Sequence, residues 1–119
     1  MTALARVSIQ DANDVKIVRF RETQLFDERA VREAIEQITS ALPEDGSPIR
    51  MILDFTDVNL ISSTLLSKLI LLQRRVEGAK GQMRLCELSP IVQQVFRTSN
   101  LDRLFKIDRD QRTALDSLN

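Results

Sequence analysis

Asp54-Phe55-Thr56-Asp57-Val58-Asn59-Leu60-Ile61-Ser62-Ser63-Thr64-Leu65-Leu66 is the stretch whose reading decides the fold. Upstream of it, Met51-Ile52-Leu53 runs apolar up to Asp54. Such a run suits a central strand covered on both faces. Downstream, Leu65, Leu69, Leu72 and Val76 recur at the spacing of a helix from about Ser63 to Val76. At about 100° per residue these four form one stripe, which must face a sheet. A buried strand, a short polar loop and an amphipathic helix make a strand-helix unit. Three hydroxyl residues stand at the helix start, and Ser62 or Ser63 can serve as its cap by accepting from first-turn amides.

Working outward, Val7 and Ile9 alternate with polar residues, and Val15-Lys16-Ile17-Val18-Arg19-Phe20 does so more strongly. Two such strands around Asp11-Ala12-Asn13-Asp14 predict an antiparallel hairpin. Asp27 is a helix cap ahead of Val31, Ala34, Ile35, Ile38 and Leu42. Pro43-Glu44-Asp45-Gly46-Ser47-Pro48 makes the following loop. Gly78 and Gly81 stop the central helix, and Gln82-Met83-Arg84-Leu85-Cys86 reads as a strand. Ser89-Pro90 is a cap and a first-turn proline before the apolar side Val92, Val95 and Phe96. Leu104, Phe105 and Ile107 suggest a short last strand, and Asp108 the cap of a terminal helix with Ala114, Leu115 and Leu118. The prediction is one α/β domain over residues 1–119. It has a mixed sheet of about four or five strands and about four helices, mainly on one face.

Composition removes whole reaction classes. The chain has 119 residues, no histidine and one cysteine, Cys86. An intrachain disulfide, a Cys/His zinc site and any Ser-His or Cys-His nucleophile pair are excluded. With three glycines and no Gly-rich phosphate loop, a free-standing enzyme and a bound cofactor are not expected. Lys plus Arg equals Asp plus Glu, at 17 each, which argues against nucleic acid as a partner. No run approaches the ~18–20 apolar residues that span a bilayer, and the N-terminus lacks a signal-peptide core. A soluble, cytoplasmic protein without a membrane role is expected.

The outer side of the central helix carries Ser63, Ser67, Ile70 and Arg74, with Leu71 beside them. Apolar side chains framed by serines and an arginine form a small docking surface; the alternative is that Ile70 packs at the core edge.

The stretch Asp57–Leu66 resembles the signature of STAS domains, in particular bacterial anti-sigma factor antagonists. The family pattern is Asp-x-x-x-(apolar)-Asp-Ser-(Ser/Thr)-Gly-Leu, followed by the helix. Ser63 falls on the family's phosphorylated serine and Thr64 on the hydroxyl residue after it. Ser62 replaces the usual aspartate and Leu65 the usual glycine. Ser62 is therefore the alternative acceptor. The stretch Leu85–Phe96 and Ser99-Asn100-Leu101 also resemble the family's later strand, Ser-Pro helix start and loop. The resemblance implies a partner that is both anti-sigma factor and serine kinase. It would be bound through Asp57, Ser62, Ser63, Thr64, Ser67, Ile70, Leu71 and Arg74, and released on phosphorylation.

Two rivals share these elements. A scaffold domain of the same fold would need no phosphorylation. A receiver domain would use Asp54 as phospho-acceptor, with Asp11 and Asp14 as metal ligands, but no helix directly follows the first strand.

Overall fold

The computed structural model describes residues 4–118. Its first hairpin pairs β1 (Val7–Ala12) with β2 (Val15–Phe20) antiparallel. Asn13 and Asp14 make the turn with φ of 51° and 67°. Those are the positive φ values a two-residue type I′ turn requires, and short Asn and Asp side chains tolerate them. A two-residue strand, β3 (Gln24–Leu25), leads to helix α1 (Glu28–Ser40). Asp27 caps α1, accepting from the Ala30 N–H at 3.0 Å. That bond holds the Asp27 carboxyl below its ordinary range.

Strand β4 (Arg50–Asp54) is followed by the two-residue β5 (Leu60–Ile61) and helix α2 (Ser63–Gly78). Then come β6 (Gln82–Cys86), α3 (Pro90–Thr98), a 3-10 turn at Leu101–Arg103, β7 (Lys106–Asp108) and α4 (Gln111–Leu118). The main sheet has the order β1-β2-β4-β6-β7 and is parallel apart from its first pair. A second sheet consists only of β3 and β5, paired in parallel. The sheet is thus mixed, as the sequence predicts.

The period of two along each strand sorts side chains onto two cores. Val18, Phe20, Met51, Leu53, Met83 and Leu85 face a large core shared with α1, α2 and α3. Val15, Ile17, Ile52 and Cys86 face a smaller one closed by Ala114 and Leu118 of α4. Four phenylalanines form a chain of rings within the large core. Phe20 to Phe55, Phe55 to Phe96 and Phe96 to Phe105 lie 5.0, 6.5 and 5.6 Å apart between centroids. The last two contacts are edge-on, the geometry the ring quadrupole favours.

Two expectations need correction at the C-terminal end. The last strand is Lys106–Asp108, with Phe105 buried ahead of it and Leu104 exposed outside it. Asp108 does not cap α4. Arg84 holds both its carboxylate oxygens, at 2.5 and 3.0 Å across the β6–β7 pair. Asp110 accepts from the Thr113 N–H instead, at 2.8 Å. A two-toothed guanidinium contact outcompetes a cap for the same carboxylate.

Helix α2 ends on a left-handed Lys80 (φ 57°). The Gly81 and Lys80 N–H groups donate back to Val76 and Glu77, a Schellman closure. A Cβ on Gly81 would lie 2.0 Å from the Ile49 carbonyl oxygen, which already accepts from the Gln82 N–H. Gly81→Ala is therefore expected to lose about 1–3 kcal/mol, the usual cost of overpacking. Gly78 has open space around its would-be Cβ. Gly78→Ala should instead gain up to about 1 kcal/mol. Urea denaturation of the two variants checks the contrast.

Candidate functional site

The site begins where β4 ends. Asp54 is 3% exposed. Its Oδ1 accepts from the Thr56 N–H at 2.8 Å and the Thr56 hydroxyl at 2.5 Å, and Oδ2 from the Gln111 amide at 2.7 Å. One buried carboxylate therefore folds the loop and ties it to α4. A group so enclosed has no face free for a phosphodonor. Among the described residues, no cluster of three or more potential metal-ligating side chains occurs. Both observations tell against the receiver alternative, as does the antiparallel first strand pair.

From Phe55 the chain turns back, the Val58 N–H donating to the Phe55 carbonyl at 2.9 Å. Asp57 at the tip is left-handed (φ 65°) and meets Arg19 at 3.3 Å, both side chains exposed. An ion pair this exposed contributes little to stability. The Asn59 N–H then donates to Thr23 at 2.8 Å, Leu60-Ile61 pair with Gln24-Leu25, and the Ser62 N–H donates to Leu25 at 3.0 Å. The small sheet thus clamps the chain just ahead of α2.

Ser62 is the cap of α2. Its φ and ψ are extended, and its Oγ accepts from the Leu65 N–H at 3.1 Å. Ser63 is the first helical residue and is exposed. Of the two serines, the structure gives the capping task to Ser62, which is half-buried. The Ser63 hydroxyl has no hydrogen-bond partner among the described residues. The amides of Ser63 and Thr64 also lack acceptors there, as the first turn of a helix leaves them. Leu65, at the glycine position of the pattern the sequence resembles, is fully buried. Its burial contributes roughly 1.5–3 kcal/mol, which glycine could not supply.

The remaining candidates divide by the helical period. Ser63, Thr64, Ser67, Leu71 and Arg74 share the exposed side of α2, and Leu71 is 57% exposed. Ile70 is half-buried and packs against the core edge. Asp57 stands apart on the loop tip. Among the exposed apolar residues that escaped the sequence reading are Phe26 (61%), Leu60 (38%) and Ile91 (60%). Phe26 follows β3, Leu60 lies on β5, and Ile91 is in the first turn of α3, which packs against β5. Phe26 precedes the Asp27 cap, where an apolar residue ordinarily packs back on the helix as a staple. That position was the available signal, and here the ring stays out in solvent.

Cys86 is fully buried on the opposite face. Burial pushes its thiol far up, and the Asp54 carboxylate adds to this. It is a packing residue rather than a nucleophile.

The STAS domain profile matches residues 6–114. A Bordetella bronchiseptica protein, BtrV, whose name assigns it provisionally to the anti-sigma factor antagonists, is 31% identical over 82 residues. The match covers 69% of this chain and 70% of that protein. A STAS-domain containing protein of Pseudomonas aeruginosa is 33% identical over 61 residues, 51% of this chain and only 60% of that protein's length. The solved structure of an anti-sigma-factor antagonist (STAS) domain protein from Planctomyces limnophilus superposes with a TM-score of 0.85 at 20% identity. That superposition covers 98% of this chain and 100% of the other.

Two measurements check the local assignments. Ser62→Ala should lose about 1 kcal/mol through the missing cap, whereas Ser63→Ala should leave stability unchanged in the same denaturation experiment. Cys86 should resist thiol reagents in the native protein and react only after unfolding; rapid native labelling would contradict the burial.

Proposed function

The chain belongs to the STAS domain family, and from that premise we propose that it is an anti-sigma factor antagonist switched by phosphorylation of Ser63. In this reading the unmodified protein binds a partner that is both anti-sigma factor and serine kinase, and frees the sigma factor. The phosphorylated protein does not bind. It works in the cytoplasm by binding, not by catalysis. Among the described residues, no helix is long and apolar enough to cross a membrane. The contact surface comprises Ser63, Thr64, Ser67, Leu71 and Arg74, with Asp57, Ser62 and Ile70 at its margin.

The observation that carries this reading is the division of labour between two adjacent serines. Ser62 spends its hydroxyl on the cap, so Ser63 is exposed at the head of a packed helix without a structural task. A kinase can take Ser63 without unfolding anything. Ser62 is the poorer acceptor, because modifying it would break the cap.

A phosphate brings about −1.5 to −2 charges at pH 7. The free first-turn amides and the positive end of the helix dipole accommodate it. The fold therefore survives modification, and the effect falls on the interface. There a hydrated dianion must be stripped of water or meet partner carboxylates.

The test starts with affinity purification of the tagged protein from its own cells and mass spectrometry of what comes with it. A serine kinase should co-purify, and phosphate should be found on Ser63. Ser63→Ala should retain that partner, and Ser63→Asp should bind it at least tenfold more weakly. Tight binding by Ser63→Asp together with an unphosphorylated Ser63 in the native protein would favour a scaffold domain instead.

A further inference from the structure

The outer face of α2 is more basic than the chain as a whole. The whole chain balances 17 cations against 17 anions. Helix α2 carries Lys68, Arg74 and Arg75 against Glu77 alone, a net of +2. Glu77 accepts from the Gln73 amide at 2.9 Å. Among the described residues, none of the three cations takes part in an ion pair.

Their placement follows from the helix. Residues three and four apart are surface neighbours. Lys68 is three before Leu71, Arg74 three after and Arg75 four after; Ser67, four before, completes the ring. Arg74 and Arg75 are exposed and Lys68 is half-exposed. Leu71, at 57% exposure, is thus an apolar side chain surrounded by three free cations and a small hydroxyl. An exposed leucine alone needs no explanation. The ring of unspent charge around it does.

We propose that this ring docks on an acidic protein surface, Leu71 entering an apolar pocket whose carboxylate rim is met by Lys68, Arg74 and Arg75. This rests on the reading above and supplies the chemistry of the partner's face. A lipid surface fits less well, since juxtamembrane recognition uses clusters of about four to eight basic residues. A nucleic acid fits less well too, since the face offers no aromatic side chain for a base to stack on.

The same arrangement explains how one phosphate would end binding without moving the backbone. Lys68 is five residues beyond Ser63, about 7.5 Å along the axis at about 1.5 Å per residue. With about 140° of turn between them the two Cβ positions stand roughly 10 Å apart, comparable with the Debye length of about 8–10 Å at 0.1–0.15 M salt. Carboxylates seated over Lys68 would feel a phosphate on Ser63 as like charge, at the rim of the contact where water is being removed. Attraction by the ring and repulsion by the phosphate are two signs of one complementarity.

The experiment titrates the co-purified kinase with wild type and with the triple variant Lys68→Glu, Arg74→Glu and Arg75→Glu, at 50 and 300 mM salt. Two of the substituted side chains are exposed and Lys68 is half-exposed, and thermal unfolding of the variant verifies its fold. Wild-type affinity should fall several-fold with salt. The triple variant should bind at least tenfold more weakly, with that salt dependence lost or reversed. Equal affinities with flat salt dependence would overturn the proposal, while a Ser63→Asp effect in the same assay would leave the switch standing. If no kinase co-purifies, nuclear magnetic resonance with defined probes decides. The acidic peptide Glu-Glu-Leu-Leu-Glu-Asp should shift amides within residues 64–75, and its Lys-for-acid counterpart should not. Equal shifts from both peptides, no shifts, or stronger binding to phosphatidylglycerol vesicles or duplex DNA would overturn it.

Discussion

A strand buried on both faces can leave the sheet only at its ends, and β4 leaves at Asp54. That carboxylate is the point on which the rest of the site depends. It is out of water, so it needs donors, and it finds them in the loop it starts and in α4 on the far side of the sheet. With the loop tied down there, and tied again where Ser62 donates to Leu25, α2 can begin in one place only. The exposure of Ser63 therefore follows from a buried acid nine residues earlier and is not a property of a loose surface loop.

Much of this was legible because the signals were local. The alternation in β1 and β2, the apolar run of β4, and the caps Asp27 and Ser89 each depend on a few consecutive residues. The α2 stripe of Leu65, Leu69, Leu72 and Val76 has the helical period, and all four are buried. What the sequence hid was long-range. A two-residue strand has no period to detect, so β3 and β5 were unreadable, and with them the clamp on the helix start. Asp108 and Asp110 are equally good caps by type. Only the position of Arg84, 24 residues away, decides between them. Phe26 could not be placed either, since its position predicts a ring folded onto α1 and the ring is out in solvent.

The outer face of α2 shows the same limit. Ser63, Ser67 and Arg74 fall on it by arithmetic, as observed. Ile70 and Leu71 are adjacent and equally apolar, yet one leans on the core and the other does not. Their bearings around the helix differ by about 100°, and the neighbouring elements decide which bearing is covered. Residue type alone carries no such information.

The pairing of β3 with β5 has one more consequence. Since the two strands are paired and each runs into a helix, α1 and α2 both begin beside one small platform. The positive pole of each peptide dipole lies beside that platform. At α1 the pole is countered by the carboxylate of Asp27 and by Glu28. At α2 it meets only neutral hydroxyls, since Ser62 is the cap and the first turn holds no acidic residue. The head of α2 thus keeps an uncompensated positive pole, where the head of α1 does not.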